Sequence, residues 1–238
     1  MSKYLNTECE NIFESWNPGL FNRDALYQKT IRAFTSSMIT GDVLDVGCGS
    51  RIFCDLSKVN SWTGLDISER MLSSIEFIDD VPQKKTLKGD VLELSFDDEA
   101  FDTVTAFFLL HHLGRNNRFD SSTRIQAAFN EIYRVLKPGG RFVMAENCRG
   151  FLEAPYHWCY SVCYILGKIL GKIELPFFWK AKHYCGFGEK AGFLPSLYVH
   201  IPIRENIYQP VLNISIPPIL SHDFIQKMTI FEFVKSRP

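Results

Sequence analysis

Residues 43–51 read VLDVGCGSR, and residues 63–68 read TGLDIS. In both segments an apolar run ends in an acidic residue, and in the first the acid is followed by two glycines one residue apart. This order is typical of a strand-turn-helix-strand unit that binds a nucleotide. The glycines let the backbone approach a ligand closely, and a helix after the turn would point its free N–H groups at that ligand. The acid that ends the second run can accept hydrogen bonds from both hydroxyls of a ribose.

The spacing of the glycines narrows the class of nucleotide. The dinucleotide fingerprint needs a third glycine, at the position that Ile52 occupies here. The Walker A motif needs a Gly-Lys-Ser/Thr sequence that does not follow this turn. NAD, FAD and ATP therefore all fit the turn poorly.

Residues 43–51 resemble motif I of the class I S-adenosylmethionine (SAM)-dependent methyltransferases, whose core is Asp/Glu-x-Gly-x-Gly. Further segments match the same family in the same order: KGDV at 88–91, LSFDDEAFDTV at 94–104 with LHHL at 110–113, and RVLKPGGRF at 134–142. Each is weak alone, but four in register over residues 42–146 look like the broad type 11 group, which includes the ubiquinone and menaquinone methyltransferases. The resemblance says nothing reliable about residues 1–30 or 150–238.

Apolar periodicity predicts alternating strands and helices. We expect strands at 42–47, 61–66, 84–89, 101–109 and 141–146, and helices at 20–38, 52–59, 121–136 and from Glu69 after a Ser68 cap. Residues 184–194 resemble the family's last helix, while 196–203 and 228–236 look like a closing antiparallel pair. The alternation predicts an α/β fold with a doubly wound, mostly parallel sheet. The resemblance implies a Rossmann-like sheet of seven strands with an antiparallel last strand, plus a helical acceptor cap.

We expect one methyltransferase domain over residues 1–238. Its parts would be an N-terminal helical segment (1–40), a SAM-binding core (41–148), a variable acceptor cap (149–195) and closing strands (196–238). Ligands of such sheets bind beyond the carboxyl ends of the strands. Residues that are distant in the sequence should therefore meet around one cleft.

The resemblance implies that SAM is the cofactor, and it assigns the residues of the adenosine half. Asp66 would hold the ribose hydroxyls, with Ile67 beside it. Asp90 would accept a hydrogen bond from the adenine amino group, and the Val91 N–H would donate to the adenine ring. The alternative for both acids is that they only cap the ends of strands.

The residues of motif I would surround the methionine half of SAM. By the same resemblance, Gly47, Cys48 and Gly49 would pass beneath it. Asp45 would help to hold its amino group, directly or through water, and Phe107 would contribute its backbone there.

Arg51 departs from the family pattern, which often has another glycine at that position. A side chain there restricts the turn close to the methionine end of the ligand. Three roles are open for Arg51: it binds the SAM carboxylate, it lines the acceptor site, or it points to solvent. A chain that binds SAM but transfers no methyl group is therefore an alternative.

The chemistry asks little of the protein, because the sulfonium of SAM already makes its methyl carbon electrophilic. The acceptor must lie in line at about 3 Å from that carbon, with water excluded. Some such enzymes also use a histidine or carboxylate to take the acceptor's proton. The candidate catalytic residues are His111 and His112, where the fourth strand opens into the cleft, and Glu146, at the end of the fifth. The alternative for the histidines is that the LHHL stretch only packs and caps a loop, and structural capping explains Glu146 equally well. More distant candidates are His157, His183 and Tyr184.

The acceptor is predicted to be a small molecule that is aromatic or lipid-like. Aromatic residues crowd residues 151–180, where they would either bind a flat or greasy acceptor or simply pack a cap helix. Methylation of nucleobase amino groups goes with an Asn/Asp-Pro-Pro-aromatic loop after the fourth strand, and cytosine C5 methylation with a Pro-Cys nucleophile. The chain has AFFL at 106–109 instead. Alternatives are a quinone or lipid methyltransferase at a membrane surface, a non-catalytic SAM-binding protein or partner subunit, and a protein or RNA methyltransferase.

The composition of the chain limits the other classes of protein that it could belong to. The 238 residues are 46% hydrophobic and 22% charged, which is ordinary for a globular protein. A net charge of −1 without blocks of like charge argues against a DNA or RNA binder. Because the N-terminus does not resemble a signal peptide and no apolar run approaches the roughly 18–20 residues of a spanning helix, we expect a cytoplasmic protein. The oligomeric state stays open.

Seven scattered cysteines are expected to be reduced thiols in such a compartment. Cys159 and Cys163 lie four apart, near His157, His183 and Cys185. Zinc sites usually have tighter Cys-x-x-Cys spacing, so we predict buried apolar cysteines and no metal site.

Overall fold

The structure is a computed structural model that describes residues 25–75, 83–113, 118–149, 178–201, 207–209, 214–216 and 226–237. The predictions for residues 1–24, and for most of the aromatic-rich segment, lie outside the described residues. The SAM-binding core predicted over 41–148 is described almost completely.

A seven-stranded sheet forms the centre of the described fold. The strands in chain order are β1 (Gly41–Val46), β2 (Val59–Asp66), β3 (Gln83–Lys88), β4 (Phe101–Phe107), β5 (Leu136–Arg149), β6 (Leu197–Ile201), β7 (Ile207–Gln209), β8 (Ile214–Ile216) and β9 (Gln226–Val234). The main sheet has the order β3-β2-β1-β4-β5-β9-β6, and β7 pairs with β8 in a separate small sheet. Strands β1 to β5 are parallel, whereas β9 is antiparallel to both of its neighbours. The predicted Rossmann-like sheet with an antiparallel last strand is confirmed.

Helices lie between the strands and cover the sheet. They are α1 (Ala25–Thr35), α2 (Glu69–Ser73), α3 (Arg118–Val135) and α4 (Ala181–Ala191), with a 3₁₀ turn at Leu110–His112. The predicted cap of α2 is confirmed, since the Ser68 hydroxyl accepts a hydrogen bond from the Met71 N–H at 3.2 Å. Gly192 ends α4 in the left-handed region at φ +104°, which favours glycine.

Two hydrophobic cores lie on opposite faces of the sheet. Successive residues of β5 contribute to different cores. Phe142 lies in the core beneath α3 and α4, and Val143 lies in the core that includes Ile31 of α1. Helix α4 lies very close to the sheet, because a Cβ built on Gly188 would come 2.5 Å from the Phe233 ring. The sheet is therefore doubly wound, as the alternation of strands and helices predicts.

The helix predicted at residues 52–59 is wrong, because the chain between the glycine turn and β2 is extended and bent there. Ile52, Cys54 and Leu56 are buried while the residues between them are half-buried. This period of two suits an extended segment. The Ile52 carbonyl accepts hydrogen bonds from Gln28 Nε2 at 2.7 Å and Arg32 Nη2 at 3.3 Å, both from α1. No helix N-terminus therefore follows the glycine turn within this described segment.

Several other boundaries differ from the predictions by a few residues. The fourth strand ends at Phe107, since the chain turns into the 3₁₀ turn soon afterwards. The fifth strand begins earlier than predicted because Leu136 pairs with Phe101, and a register shift takes up the Pro138-Gly139-Gly140 stretch. The closing antiparallel pair is confirmed as β6 and β9.

The described residues bear on three expectations that were drawn from composition. No helix among them is long and apolar enough to cross a membrane. No group of three or more histidine, cysteine, aspartate or glutamate side chains among them is arranged to hold a metal ion. The cysteines that are described, Cys48, Cys54, Cys148 and Cys185, are free thiols.

Arg134 of α3 fastens the loop before β4 to the helix. Its guanidinium donates to the carbonyls of Leu94 at 2.8 Å and Phe96 at 2.7 Å. It also forms a two-bond pair with Glu131, at 3.0 and 2.9 Å. Glu131 in turn accepts the Leu94 N–H at 2.9 Å. The planar fork of arginine is what allows one side chain to serve these acceptors together.

Replacing Arg134 with Ala is expected to lower the free energy of unfolding by about 2–3 kcal/mol, because several hydrogen bonds to a charged group are lost together. Urea denaturation of both proteins measures the difference. Arg141→Ala is the matched control, since its pair with Glu232 at 3.2 Å is partly exposed and should contribute less than about 1 kcal/mol. Equal losses in the two variants would contradict the fastening role of Arg134.

Candidate functional site

The carboxyl ends of four neighbouring strands bring the predicted site residues to one edge of the sheet. Asp45 of β1 pairs in register with Gly64 of β2 on one side and Thr105 of β4 on the other. Phe107 of β4 pairs with Ala145, one residue before Glu146. Parallel strands end at the same edge, so the ends of β1, β2, β4 and β5 line one region.

The glycine turn after β1 is hydrogen-bonded to β2 on one side and open on another. The N–H groups of Gly47 and Cys48 donate to the Leu65 carbonyl at 2.7 and 3.2 Å. Both glycines have positive φ, +65° at Gly47 and +58° at Gly49. A Cβ on Gly47 would clash with the Leu109 side chain, whereas no described atom outside the neighbouring residues lies within 4 Å of a Cβ built on Gly49. The turn therefore packs against the segment after β4 and leaves space beside Gly49.

The Asp66 carboxylate joins this turn to the start of α2. Its Oδ2 accepts the Gly49 N–H at 2.8 Å, and its Oδ1 accepts the Ser68 N–H at 2.9 Å. The residue is half-buried, as is Ile67 beside it. An ionised carboxylate has about four acceptor positions, which suits Asp66 to hydroxyl donors as well as to these backbone N–H groups.

Asp90 shapes the turn after β3. Its Oδ1 accepts the Leu92 N–H at 3.0 Å, and its carbonyl accepts the Glu93 N–H at 3.1 Å. This is an Asx turn, in which the side chain replaces a backbone acceptor. Loss of hydration raises the pKa of Asp90, although the hydrogen bond from Leu92 opposes the shift. The side chain and the buried Val91 are thus held rigidly.

Asp45 is a carboxyl group buried directly beneath the glycine turn, with 1% of its surface exposed. Its Oδ1 accepts a hydrogen bond from the Thr105 hydroxyl at 2.7 Å. Loss of hydration raises the pKa of Asp45 to about 7, against the lowering effect of hydrogen bonds from Thr105 and Trp62, and the nearby Asp66 raises it further. The carboxyl group therefore gains and loses its proton near neutral pH.

His111 and Glu146 form a buried pair where β4 ends beside β5. The His111 Nδ1 lies 2.5 Å from Glu146 Oε1, and the two residues are 7% and 1% exposed. Glu146 Oε2 accepts the backbone N–H groups of Leu110 at 2.8 Å and His111 at 3.2 Å, and Oε1 also accepts that of Asn147 at 3.0 Å. Both carboxylate oxygens of Glu146 are therefore hydrogen-bond acceptors in this pair. The carboxylate in turn favours the tautomer with hydrogen on Nδ1, which leaves Nε2 as the proton acceptor.

His112 differs from its neighbour. Loss of hydration, and then the nearby His111, lower the pKa of His112 well below its ordinary value. The two ring centroids lie 4.0 Å apart. His112 therefore stays uncharged at neutral pH and is a weaker proton acceptor than an ordinary histidine.

Aromatic side chains surround this end of the sheet. Phe53 contacts both Phe107 and Phe108, with ring centroids 5.8 and 5.7 Å apart. Phe108 has a left-handed φ of +57°, and its N–H donates to the Ala145 carbonyl at 2.9 Å. The ring of Phe178 stacks on His111. The site thus combines polar strand ends with an aromatic lining.

Some candidate residues are placed elsewhere or gain partners that the sequence did not suggest. Tyr184 is fully buried among core aromatics, His183 packs against Trp179, and Arg51 is half-buried. His157 and the aromatic residues at 151–177 lie outside the described residues. Sequence reasoning missed Thr105 as a partner of Asp45. The hydroxyl of Thr105, two residues before the end of β4 (FDTVTAF), is the signal that could have found it.

Comparison with known proteins agrees with this arrangement. Residues 44–144 match a family described as a methyltransferase domain. The chain is 32% identical over 186 residues to the demethylmenaquinone methyltransferase of Oceanobacillus iheyensis, covering 71% of this chain and 74% of that protein. It is 33% identical over 164 residues to the Bacillus subtilis protein of the same name, covering 63% and 66%. Phosphoethanolamine N-methyltransferase 2 of Haemonchus contortus, solved with S-adenosyl-L-methionine, has the same fold, with a TM-score of 0.60 at 16% identity over 99% of this chain and 58% of that chain.

Proposed function

The chain belongs to the class I SAM-dependent methyltransferases of type 11, and from this premise we propose that it methylates a flat, hydroxylated aromatic acceptor at carbon or oxygen. The cofactor is SAM, which supplies an electrophilic methyl group when bound. The task left to the protein is to orient the two partners, exclude water and accept a proton.

The described residues fit SAM at the edge of the sheet. The space beside Gly49 admits a ligand next to the turn. The Asp66 carboxylate at the end of β2 is of the type that accepts hydrogen bonds from ribose hydroxyls, and Ile67 lies beside it. Asp90 and the Val91 N–H are held in a rigid turn suited to the adenine edge. Under this proposal Gly47, Cys48 and Asp45 lie against the methionine half, with the backbone of Phe107.

The buried pair of His111 and Glu146 is the observation that carries the proposed acceptor class. A base beside the cofactor is useful when the acceptor must lose a proton, as a phenolic hydroxyl or the carbon next to it does. A thioether acceptor has no proton to lose. The aromatic lining around Phe53, Phe107 and Phe108 suits a flat ring. The two relatives named as demethylmenaquinone methyltransferases support an acceptor of the quinol type.

Two linked measurements test this function. Calorimetric titration with S-adenosylhomocysteine (SAH) should give binding on the order of micromolar, or about 8 kcal/mol. Radiolabelled methyl transfer from SAM should then be detected with 1,4-dihydroxynaphthalene and not with histamine, which has no acidic hydroxyl. SAH binding without transfer to any phenolic probe would favour the non-catalytic alternative. Transfer that requires liposomes loaded with a demethylated quinol would favour the membrane-surface alternative.

Replacing Asp66 with Ala should weaken SAH binding by about 1–3 kcal/mol, because hydrogen bonds to a charged group are lost. The same calorimetric titration with SAH measures this loss of affinity. Asp55→Ala is the matched control, since Asp55 is also a carboxylate but lies in the β1–β2 connection, where it accepts the Ser57 N–H at 3.0 Å. Unchanged affinity in Asp66→Ala, or an equal loss in both variants, would contradict the ribose assignment.

A further inference from the structure

We propose that Phe178 is a positioning residue for the His111 imidazole, and that the short strap of residues 178–180 exists to hold it there. This inference rests on the proposed function of His111 as the base. It concerns a residue that contacts the base and has no polar group of its own.

The ring of Phe178 lies nearly flat against the imidazole. The two centroids are 5.0 Å apart and the planes differ by 27°. This offset-stacked contact is one of the preferred geometries of aromatic pairs. It covers one face of a ring that is already almost removed from solvent.

The strap is fixed to two different elements. The Trp179 carbonyl accepts the N–H of Arg149, the last residue of β5, at 3.0 Å. The Trp179 indole N–H donates to the Ser121 hydroxyl of α3 at 2.9 Å, and both of these side chains are buried. Trp179 is therefore held from the sheet and from a helix, and Phe178 next to it has little freedom to move away from His111.

Glu146 alone cannot orient the base completely. Its carboxylate fixes the position of Nδ1 by one hydrogen bond, but one contact leaves the ring able to tilt about that atom. Proton transfer requires Nε2 to lie within hydrogen-bond reach of the acceptor's proton. The flat face of Phe178 removes the tilt and keeps water from the imidazole, so that the pair stays in one tautomer.

Nitrogen-15 spectra of histidine-labelled protein test the proposal without any acceptor. In the wild type, His111 should show hydrogen on Nδ1 and an unprotonated Nε2 at pH 8. Phe178→Ala should show both tautomers in exchange and faster loss of the Nδ1 proton to water. Phe178→Tyr should restore the wild-type signals, because it keeps a flat ring, while Phe178→Leu should not, because it fills the volume without one.

Turnover gives the second readout. Phe178→Ala should lower kcat by about tenfold and leave SAH affinity within about twofold, whereas Phe178→Tyr should retain kcat. Trp179→Phe, which keeps a ring but loses the bond to Ser121, should have the same tautomer exchange in milder form. Phe96→Leu is the control, since Phe96 pairs with Phe101 at the opposite end of β4, and His111 signals should not change.

The outcomes separate this inference from the proposed function. Unchanged His111 signals in Phe178→Ala, or full rescue by Phe178→Leu, would overturn the positioning role even if His111 is the base. Tautomer exchange in Phe178→Ala together with undiminished turnover in His111→Gln would leave the positioning contact intact and overturn the assignment of the base. Thermal unfolding of each variant identifies any that fail to fold.

Discussion

Replacing Glu146 with Gln is expected to lower turnover by about 10²–10⁴-fold, the usual contribution of a positioned base. The amide oxygen must stay towards the backbone donors of Leu110 and His111. The amide NH₂ would then face Nδ1 and donate to it. This reverses the tautomer, places the hydrogen on Nε2 and removes the proton acceptor.

Methyl transfer to the phenolic probe and SAH titration together measure this effect. SAH affinity should stay within about twofold, because a base acts on the reaction more than on cofactor binding. Glu232→Gln is the matched control, since it makes the same change at a strand residue that pairs with Arg141. His111→Gln should lose activity as Glu146→Gln does, and His112→Gln should lose less. If the double variant of His111 and His112 keeps full turnover, neither histidine is the base.

Raising the pH from about 4 to about 7 is expected to lower the contribution of Asp45 to the free energy of unfolding by about 4 kcal/mol. The contribution falls as the pH rises because the pKa of Asp45 is higher in the folded protein than its ordinary value of 3.8. Between these values the unfolded chain has lost the proton and the folded chain still holds it, so folding becomes less favourable with each step in pH. Above about pH 7 both states are ionised and the loss is complete.

Asp45→Asn isolates this contribution from all other titrating groups. Asn resembles the protonated carboxyl group in shape and cannot ionise. Urea denaturation of both proteins at pH 5 and pH 8 should show a larger fall in the free energy of unfolding for the wild type than for Asp45→Asn. Equal falls would mean that the carboxyl group is already ionised in the folded protein at pH 5.

The alternation of strands and helices and the acidic strand ends were predictable because they depend on local patterns. An apolar run followed by an acid and glycines specifies a strand end without knowledge of its neighbours. The helix predicted at residues 52–59 was wrong for the opposite reason. Its apolar residues suit either a helix or an extended chain, and contacts with α1 decide between them.

Pairings across strands were not predictable in the same way. His111 and Glu146 were both candidates, but the residues are 35 positions apart and their hydrogen bond depends on the register of β4 and β5. Thr105 meets Asp45 by the register of β1 and β4. Phe178 reaches His111 only because Trp179 is fixed to β5 and α3. Register and docking are properties of the assembled sheet, so one sequence does not reveal them.

The position of β9 has a consequence for synthesis. This strand comes late in the chain yet lies inside the sheet, between β5 and β6. A ribosome releases residues in order, so β5 has an open edge and β6 has no sheet partner until residues 226–234 emerge. During that interval the nascent chain presents apolar strand edges to other chains, which is where aggregation begins. Premature termination before residue 226 would make that state permanent, so yield should fall more steeply with truncation there than with deletion of a surface loop.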